Sequence, residues 1–218
     1  MIKAEHKRWA RILFNTYIRR LLRKNFSHFY LVNKPPEVDA DKGLLITPNH
    51  FSWWDGFFID HVMRKYSNRK IHIMMLEEQL KRYWFFRKLG AYSIKLHDSV
   101  SIAESMHYTL EILKNPGNYV VFYPQGEIQP YDKRPIIIKP GLQRLMQNSS
   151  TEIIILPAAF KIQYGEKHKP DVIARFATPL QGKQIGKNFT IFRDAFIHNI
   201  DKLDEAGRNK EYIIDLFS

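Results

Sequence analysis

Continuous apolar runs alternate along the chain with segments in which apolar side chains recur every three or four residues. The runs are typical of strands buried on both faces of a sheet, and the segments are typical of amphipathic helices. The strands are predicted over residues 28–33, 43–49, 70–76, 91–96, 118–124, 152–162 and 171–177. The helices are predicted over residues 54–66, 77–88, 99–115, 188–206 and 209–217. This alternation predicts an α/β fold, with a single layered domain whose mixed, largely parallel central sheet is flanked by helices.

The N-terminal segment is predicted to form a further, amphipathic helix. Trp9, Leu13, Tyr17 and Leu21 recur at intervals of four and form one apolar stripe. The first 24 residues also carry eight basic residues against one acidic residue, a net charge of +7. Such a helix suits the headgroup region of an anionic membrane, but the same stripe also suits packing against the protein's own core. We therefore distinguish a basic, membrane-associating helix over residues 1–24 from the main domain over residues 25–218.

Composition narrows the classes of partner and of chemistry. The formal net charge of +12 predicts an acidic partner, which can be nucleic acid, anionic lipid or a phosphorylated small molecule. Nucleic acid is not the expected partner, because the charge gathers at the N-terminus and no helix-turn-helix, RNP or zinc pattern occurs. The absence of cysteine excludes disulfides, thiolate nucleophiles and cysteine-ligated zinc. The histidines show no paired ligand spacing, so no metal site is predicted, and no apolar run is long enough to predict a membrane span.

The segment TPNHFSWWDGFF, residues 47–58, places a histidine and an aspartate five residues apart in apolar surroundings. A carboxylate that accepts a hydrogen bond from one ring nitrogen of a histidine leaves the other nitrogen free to act as a general base. His50 is therefore a candidate base and Asp55 the group that orients it, although the two also fit a satisfied polar pair at a strand end. Because no serine nucleophile motif occurs, such a base would act directly on the hydroxyl or amine of an acceptor.

A second segment, YPQGE at residues 123–127, follows the strand predicted over 118–124. Gly126 permits close approach of the backbone or a positive φ angle, and Gln125 and Glu127 supply one neutral and one charged polar group. Taken alone, this segment also fits an ordinary turn. The loop that follows, residues 130–141, is long enough to be functional.

In this order and separation, the two segments resemble the blocks of the PlsC-like glycerolipid acyltransferases, which are lysophosphatidate-acyltransferase-like enzymes. Residues 49–55, NHFSWWD, match the first block of that family, N-H-x-S/Q-x-x-D, in full. Residues 123–129, YPQGEIQ, stand where the third block usually reads F-P-E-G-T-R-S, and residues 90–96, GAYSIKL, stand in place of the second. A fourth block centres on a proline after an apolar strand, here Pro157. The resemblance implies that His50 deprotonates an acceptor that attacks an acyl thioester, with coenzyme A or acyl carrier protein as the carrier and no further cofactor.

The resemblance also implies which residues bind substrate and where this chain departs from the family. The expected substrate-binding residues are Asn49, Ser52, Lys95, Tyr123, Pro124, Gln125, Gly126, Glu127, Lys133 and Arg134. In the family, arginines in the second and third blocks help to hold the phosphate of the acceptor, whereas Leu96 and Ile128 occupy those positions here. We therefore expect an acceptor without a phosphate monoester, such as another lysolipid, an amino-acid lipid or a glycolipid.

Three alternatives stay open at this point. Lysophosphatidate can still be the acceptor if loop residues Lys133, Arg134 and Lys139 replace the missing arginines. The chain can also be a membrane scaffold without catalytic activity, because a fold does not establish activity. A basic nucleic-acid-binding protein is the remaining alternative. The favoured interpretation is a peripheral membrane enzyme on the cytoplasmic face, whose partners are an anionic membrane surface, the acyl thioester and the lipid acceptor.

Overall fold

A nine-stranded mixed sheet runs through the molecule, in a computed structural model that describes all 218 residues. The strands are β1 (Phe29–Leu31), β2 (Gly43–Pro48), β3 (Lys70–Leu76), β4 (Ala91–Ile94), β5 (Asn118–Val121), β6 (Ile153–Gln163), β7 (Asp171–Phe176), β8 (Leu180–Gln181) and β9 (Ile214–Asp215). Their order is β4-β3-β5-β2-β6-β7-β1-β9, and β8 pairs with β6. The five strands from β4 to β6 are parallel, whereas β7 runs antiparallel to β6. The predicted α/β fold with a largely parallel sheet is confirmed.

Helices cover both faces of this sheet. They are α1 (Arg8–Asn25), α2 (Asp55–Tyr66), α3 (Glu77–Arg82), a 3₁₀ helix (Trp84–Leu89), α4 (Ser99–Leu113), α5 (Gly141–Gln147), α6 (Gly182–Lys187) and α7 (Thr190–Asn209). Helices α1 and α2 pack on one face, and α4 to α7 pack on the other. None of these helices combines the length and the apolar character that crossing a membrane requires.

The central strands are apolar throughout because both of their faces are covered. All six residues of β2 are buried. Leu44 and Ile46 join the core cluster beneath α1 and α2, while Leu45, between them, joins the cluster on the other face. Successive side chains of a strand point to opposite faces, so a strand between two helical layers needs apolar residues at every position. This is why the sequence pattern predicted these strands correctly.

Helix α1 is part of the core, although it packs through a different stripe from the predicted one. Its buried residues are Ala10, Phe14, Ile18 and Leu22, which are also spaced by four. Trp9, Leu13 and Tyr17, from the predicted stripe, are each more than half exposed. The helix therefore has two apolar stripes, one against the domain and one facing outward.

The prediction of a helix over residues 209–217 was wrong. Helix α7 ends at Asn209, and Lys210 adopts a left-handed conformation with φ of 56° that turns the chain back. The tail then forms β9, whose Ile214 and Asp215 pair antiparallel with β1. The apolar residues of this tail are compatible with a short edge strand or with a helix. The tail forms a strand because it pairs with the free edge of β1.

Candidate active site

The first and third sequence blocks meet at one edge of the sheet. Strands β2, β5, β3 and β4 are parallel, so their carboxyl ends lie along the same edge. Because β5 is the direct neighbour of β2, residues 49–55 and residues 123–129 leave the sheet side by side. Loops at the carboxyl ends of parallel strands are the usual place for a ligand site in an open α/β sheet.

Asn49 fixes the point where the chain leaves β2. Its side-chain Nδ2 donates to the carbonyl of Phe160 at 2.9 Å, and the Phe160 amide donates back to Oδ1 at 2.8 Å. The Asn49 amide also donates to the carbonyl of Ala158 in β6. The buried carboxamide thus continues the pairing of β2 with β6 by one residue. These contacts give Asn49 a positioning role at the end of β2, and its predicted substrate contact stays a prediction.

His50 and Asp55 form the predicted pair. The distance between His50 Nδ1 and Asp55 Oδ2 is 2.9 Å, and Nε2 is left without a protein partner. Asp55 Oδ2 also accepts hydrogen bonds from the amides of Phe51 at 2.8 Å and Ser52 at 2.9 Å, which folds the intervening turn around the carboxylate. Asp55 is the first residue of α2, where the helix dipole favours a negative charge.

The Asp55 carboxylate is completely buried, whereas the imidazole is partly exposed. Burial raises the pKa of the Asp55 carboxyl above its usual range, and the hydrogen bonds from His50 and from the two amides oppose that rise. The donors on Oδ2 favour the ionised carboxylate, which is the form that holds the Nδ1–H of His50. The arrangement leaves Nε2 as the nitrogen able to accept a proton.

Tyr123 lies under the imidazole. The ring centroids of His50 and Tyr123 are 4.1 Å apart, with an angle of 21° between the ring planes. This stacking limits rotation of the imidazole. Tyr123 therefore supports the His50 ring from below, and its predicted contact with substrate stays a prediction.

Gln125 holds the main chain of His50. Its Oε1 accepts a hydrogen bond from the His50 amide at 2.5 Å, and its Nε2 donates to the His50 carbonyl at 3.3 Å. The amide of Gln129 donates to the same carbonyl at 2.9 Å. A carboxamide can serve the N–H and the C=O together, whereas a carboxylate cannot donate to the carbonyl. Gln125, which stands where the family usually has glutamate, thus holds the main chain of His50.

The rest of the YPQGE segment forms a turn at the surface. Gly126 has a φ of 69°, and a Cβ there would lie 2.9 Å from Cδ of Lys139, so the predicted need for glycine is confirmed. The buried Pro124 accepts a hydrogen bond from the Lys139 amide through its carbonyl. The exposed Glu127 lies 3.7 Å from the Lys139 ammonium. On the neighbouring turn, the Ser52 hydroxyl accepts a hydrogen bond from the Trp54 amide.

None of the three predicted cations forms a hydrogen bond or an ion pair with His50 or Asp55. Lys95 follows β4, which is three strand positions from β2, and its ammonium lies 3.6 Å from Glu77. At about 4.8 Å per strand, Lys95 is separated from the strand that carries His50 by about 14 Å. Arg134 donates to the carbonyls of Tyr131 and Lys133. Of the three cations, only Lys133 has no ion pair within the protein.

Asp204 of α7 anchors the loop after residue 129, and no sequence pattern indicated it. Its Oδ1 accepts hydrogen bonds from the Tyr131 hydroxyl and from the Lys161 ammonium, each at 2.8 Å. Its Oδ2 lies 3.6 Å from Arg134. Tyr131 in turn contacts the ring of Phe51 edge-on, with centroids 5.3 Å apart. The loop is thus tied both to α7 and to the turn that carries the base.

An exposed apolar side chain stands at the carboxyl end of each of the four parallel strands β2, β5, β3 and β4. We call these residues the edge row; they are Trp53 (55% exposed), Ile128 (53%), Leu76 (45%) and Leu96 (42%). Ile128 and Leu96 occupy the positions of the family's arginines. Leu96 and Ile128 therefore place hydrocarbon at the two positions where the resembled family carries arginine.

A small cavity lies next to residues that flank the pair. Asn49, Gln125 and Tyr131 are among the residues lining it, and its volume is about 10 Å³, which suits about one water molecule. A larger cleft of about 410 Å³ lies elsewhere, at Arg23 and His28. No three histidine or acidic side chains converge in a way that could hold a metal ion. The ionisable pair at this edge is a partly exposed imidazole and the buried carboxylate that supports it.

Comparison with known proteins gives one family and one fold. The family model described as Acyltransferase matches residues 29–161, more than half of the chain. No curated protein sequence matches this chain. The structure is similar to the crystal structure of the 1-acyl-sn-glycerophosphate (LPA) acyltransferase, PlsC, from Thermotoga maritima, with a TM-score of 0.60 and 14% sequence identity. The match covers 88% of this chain and 77% of that chain, and at this identity it establishes the fold alone.

Proposed function

Because the chain belongs to the acyltransferase family, as its four sequence blocks predicted, we propose that it is a lipid O-acyltransferase. It moves a fatty acyl group from a thioester to a hydroxyl of a lysolipid, an amino-acid lipid or a glycolipid. The prediction of an acyltransferase with a PlsC-like fold is confirmed by the family match and by the fold. The identity of the acceptor, the carrier of the thioester and the role of His50 as the base are proposed.

The distance of 2.9 Å between His50 Nδ1 and Asp55 Oδ2 is the observation that supports the mechanism. Nε2 of His50 takes the proton of the acceptor hydroxyl while the hydroxyl oxygen attacks the carbonyl carbon of the thioester. The carbon–sulfur bond then breaks, and the sulfur of the carrier leaves with the proton that His50 has taken. Coenzyme A and acyl carrier protein are both acidic carriers, which suits the net charge of +12.

The edge row supports an acceptor without a phosphate monoester. A phosphate monoester needs charged donors, and Leu96 and Ile128 offer none. Lys95, Arg134 and Lys139 are each within 4 Å of a carboxylate of the protein, which competes with a substrate phosphate for them. Each charged hydrogen-bonding partner that is lost weakens binding by about 1.5–3 kcal/mol.

An acceptor panel tests this function. Purified protein is supplied with acyl-CoA or acyl carrier protein thioesters and with lysophosphatidate, a zwitterionic lysolipid or a hydroxylated amino-acid lipid. We expect kcat/KM for the best acceptor without a phosphate monoester to exceed that for lysophosphatidate by at least about tenfold. Comparable values would favour lysophosphatidate as the acceptor. Absence of transfer to every acceptor would favour the scaffold without catalytic activity.

A gain-of-function variant tests directly whether Leu96 and Ile128 disfavour lysophosphatidate. Leu96→Arg combined with Ile128→Arg restores the family's guanidinium groups at two exposed positions, where substitution has little effect on folding. We expect this variant to gain lysophosphatidate turnover relative to the wild type while it keeps the other acceptors. The matched control is Ile213→Arg, an exposed isoleucine on the β9 side of the sheet.

We also propose that the protein lies on the cytoplasmic face of an anionic membrane as a peripheral protein. The outward side of α1 changes character along its length. Its first half exposes Trp9, Ile12, Leu13 and Tyr17, and Trp9 contacts Phe85 beside the 61% exposed Trp84. Its second half exposes the basic residues Arg19, Arg20, Arg23 and Lys24. Apolar side chains reach below the headgroups and basic ones pair with anionic lipid, so both halves favour such a surface.

Membrane binding is predicted to depend on the outward stripe. We expect Trp9→Gln combined with Leu13→Gln to weaken binding to vesicles containing phosphatidylserine by at least about 100-fold, because burial of each side chain contributes about 1.5–3 kcal/mol. Co-sedimentation with vesicles measures the change. Both residues are exposed, so the fold is kept, and Ile213→Gln serves as the control on another surface. Equal binding by the variant and the wild type would show that α1 has only a packing role.

A further inference from the structure

Two buried polar atoms beside the base have no hydrogen-bonding partner. One is Oδ1 of Asp55, the carboxylate oxygen that does not contact His50, and the other is the hydroxyl of Tyr123. Buried polar atoms in folded proteins almost always have a partner. Two unpartnered atoms at one catalytic pair, one a donor and the other an acceptor, therefore point to an interaction between them.

The surroundings place the two groups on the same side of the imidazole. The Tyr123 ring stacks under His50, and its hydroxyl reaches toward Gly56, the residue after Asp55, where a Cβ would lie 3.7 Å from it. Glycine at position 56 therefore leaves this space open. The negative charge of Asp55 adds to burial in raising the pKa of Tyr123, which places the two groups within electrostatic reach. The titratable side chains that face Asp55 are thus His50 and Tyr123.

Tyr123 is also a departure from the family. The third block usually begins with phenylalanine, which stacks equally well but carries no hydroxyl. Relative to phenylalanine, Tyr123 therefore adds a buried hydroxyl. A buried polar group without a hydrogen-bonding partner destabilises the fold. Stacking alone does not account for it.

No direct hydrogen bond joins the two atoms, so we propose that the Tyr123 hydroxyl donates to Asp55 Oδ1 through one buried water molecule and so makes Tyr123 a positioning residue for the His50–Asp55 pair. Both carboxylate oxygens are then held by donors: Oδ2 by His50 and two amides, and Oδ1 by the water that Tyr123 holds. The donor on Oδ1 shares the negative charge and lowers the proton affinity of the pair. This role rests on the proposed function, in which His50 is the general base.

Tyr123→Phe tests the proposal, because it removes the hydroxyl and keeps the stacked ring. Loss of the donor raises the proton affinity of the pair, so we expect the acid limb of kcat/KM to move to higher pH by about one unit. At neutral pH, kcat/KM falls by about tenfold, while the KM for the thioester is unchanged. Titration of the His50 ring by NMR is expected to show the same displacement.

Tyr92→Phe is the matched control. Tyr92 is fully buried and its hydroxyl, like that of Tyr123, is out of contact with solvent. That hydroxyl is paired with Thr109 Oγ1 at 2.7 Å, so the substitution removes one buried hydrogen bond away from the pair. Its pH profile should match that of the wild type. An unshifted acid limb and an unshifted NMR midpoint in Tyr123→Phe would overturn the proposal. The NMR titration needs no turnover, so it decides the role of Tyr123 even if the proposed transferase activity fails.

Discussion

Replacing His50 by alanine is expected to lower kcat/KM for acyl transfer by about 10²–10⁴, the usual contribution of a positioned general base. The fold should persist, because the imidazole is partly exposed and the main chain at this position is held by Gln125 and Gln129. Steady-state kinetics with the best acceptor measures the loss, and circular dichroism with thermal melting checks the fold.

A second histidine–aspartate pair provides the control for this experiment. His28 Nδ1 lies 2.7 Å from Asp215 Oδ2, which closely matches the geometry of the candidate catalytic pair. Nε2 of His28, however, contacts the ammonium of Lys167, and β1 is three strand positions from β2. We expect His28→Ala to retain activity within about threefold. Equal losses in His28→Ala and His50→Ala would contradict the assignment of His50 as the base.

Replacing Asp60 by alanine is expected to destabilise the fold by about 3–5 kcal/mol. Asp60 is 3% exposed and joins two helices, because its Oδ1 accepts a hydrogen bond from Arg11 of α1 at 2.5 Å. Its Oδ2 lies 3.3 Å from Arg64 of α2. Removing the carboxylate leaves two partly buried guanidinium groups without their counterion, which is more damaging than removal of the whole cluster.

Urea unfolding followed by circular dichroism measures this loss. The matched control is Asp39→Ala, which breaks an exposed ion pair with Lys42 and should leave the free energy of unfolding nearly unchanged. A loss for Asp60→Ala no larger than that of the control would show that the cluster contributes little. The experiment does not depend on enzymatic activity, so it tests the packing of α1 separately from the mechanism.

The sequence predicted the central sheet well because burial on both faces leaves a local signal. The six buried residues of β2 and the long apolar run of β6 are readable without knowledge of their neighbours. Helices α5 and α6 were missed because each is at most seven residues long and gains its stability from packing. For α1, the local pattern predicted the helix but not its buried side. Its two apolar stripes have the same spacing, and only the contacts with α2 and the 3₁₀ helix decide which one is buried.

For the candidate site, too, local patterns were predictable from sequence and tertiary contacts were not. The spacing of His50 and Asp55 predicted their pairing, since five residues fit the turn that leads from β2 into α2. The anchoring role of Asp204 lies outside any local pattern, because its partner Tyr131 is distant in sequence. For Gln125, the residue type was informative, but its role depends on the position of the neighbouring loop. Sequence therefore located the His50–Asp55 pair, and tertiary contacts identified the side chains that support it.

The position of α1 has a consequence for how the protein behaves on a bilayer. Its inner stripe belongs to the same core cluster as α2 and the sheet, so the helix cannot detach without opening the domain. If lipid holds its outer side, adsorption favours the folded state by mass action. The melting temperature would then rise with the amount of bilayer present, and the enzyme would be most stable where its lipid substrates are concentrated.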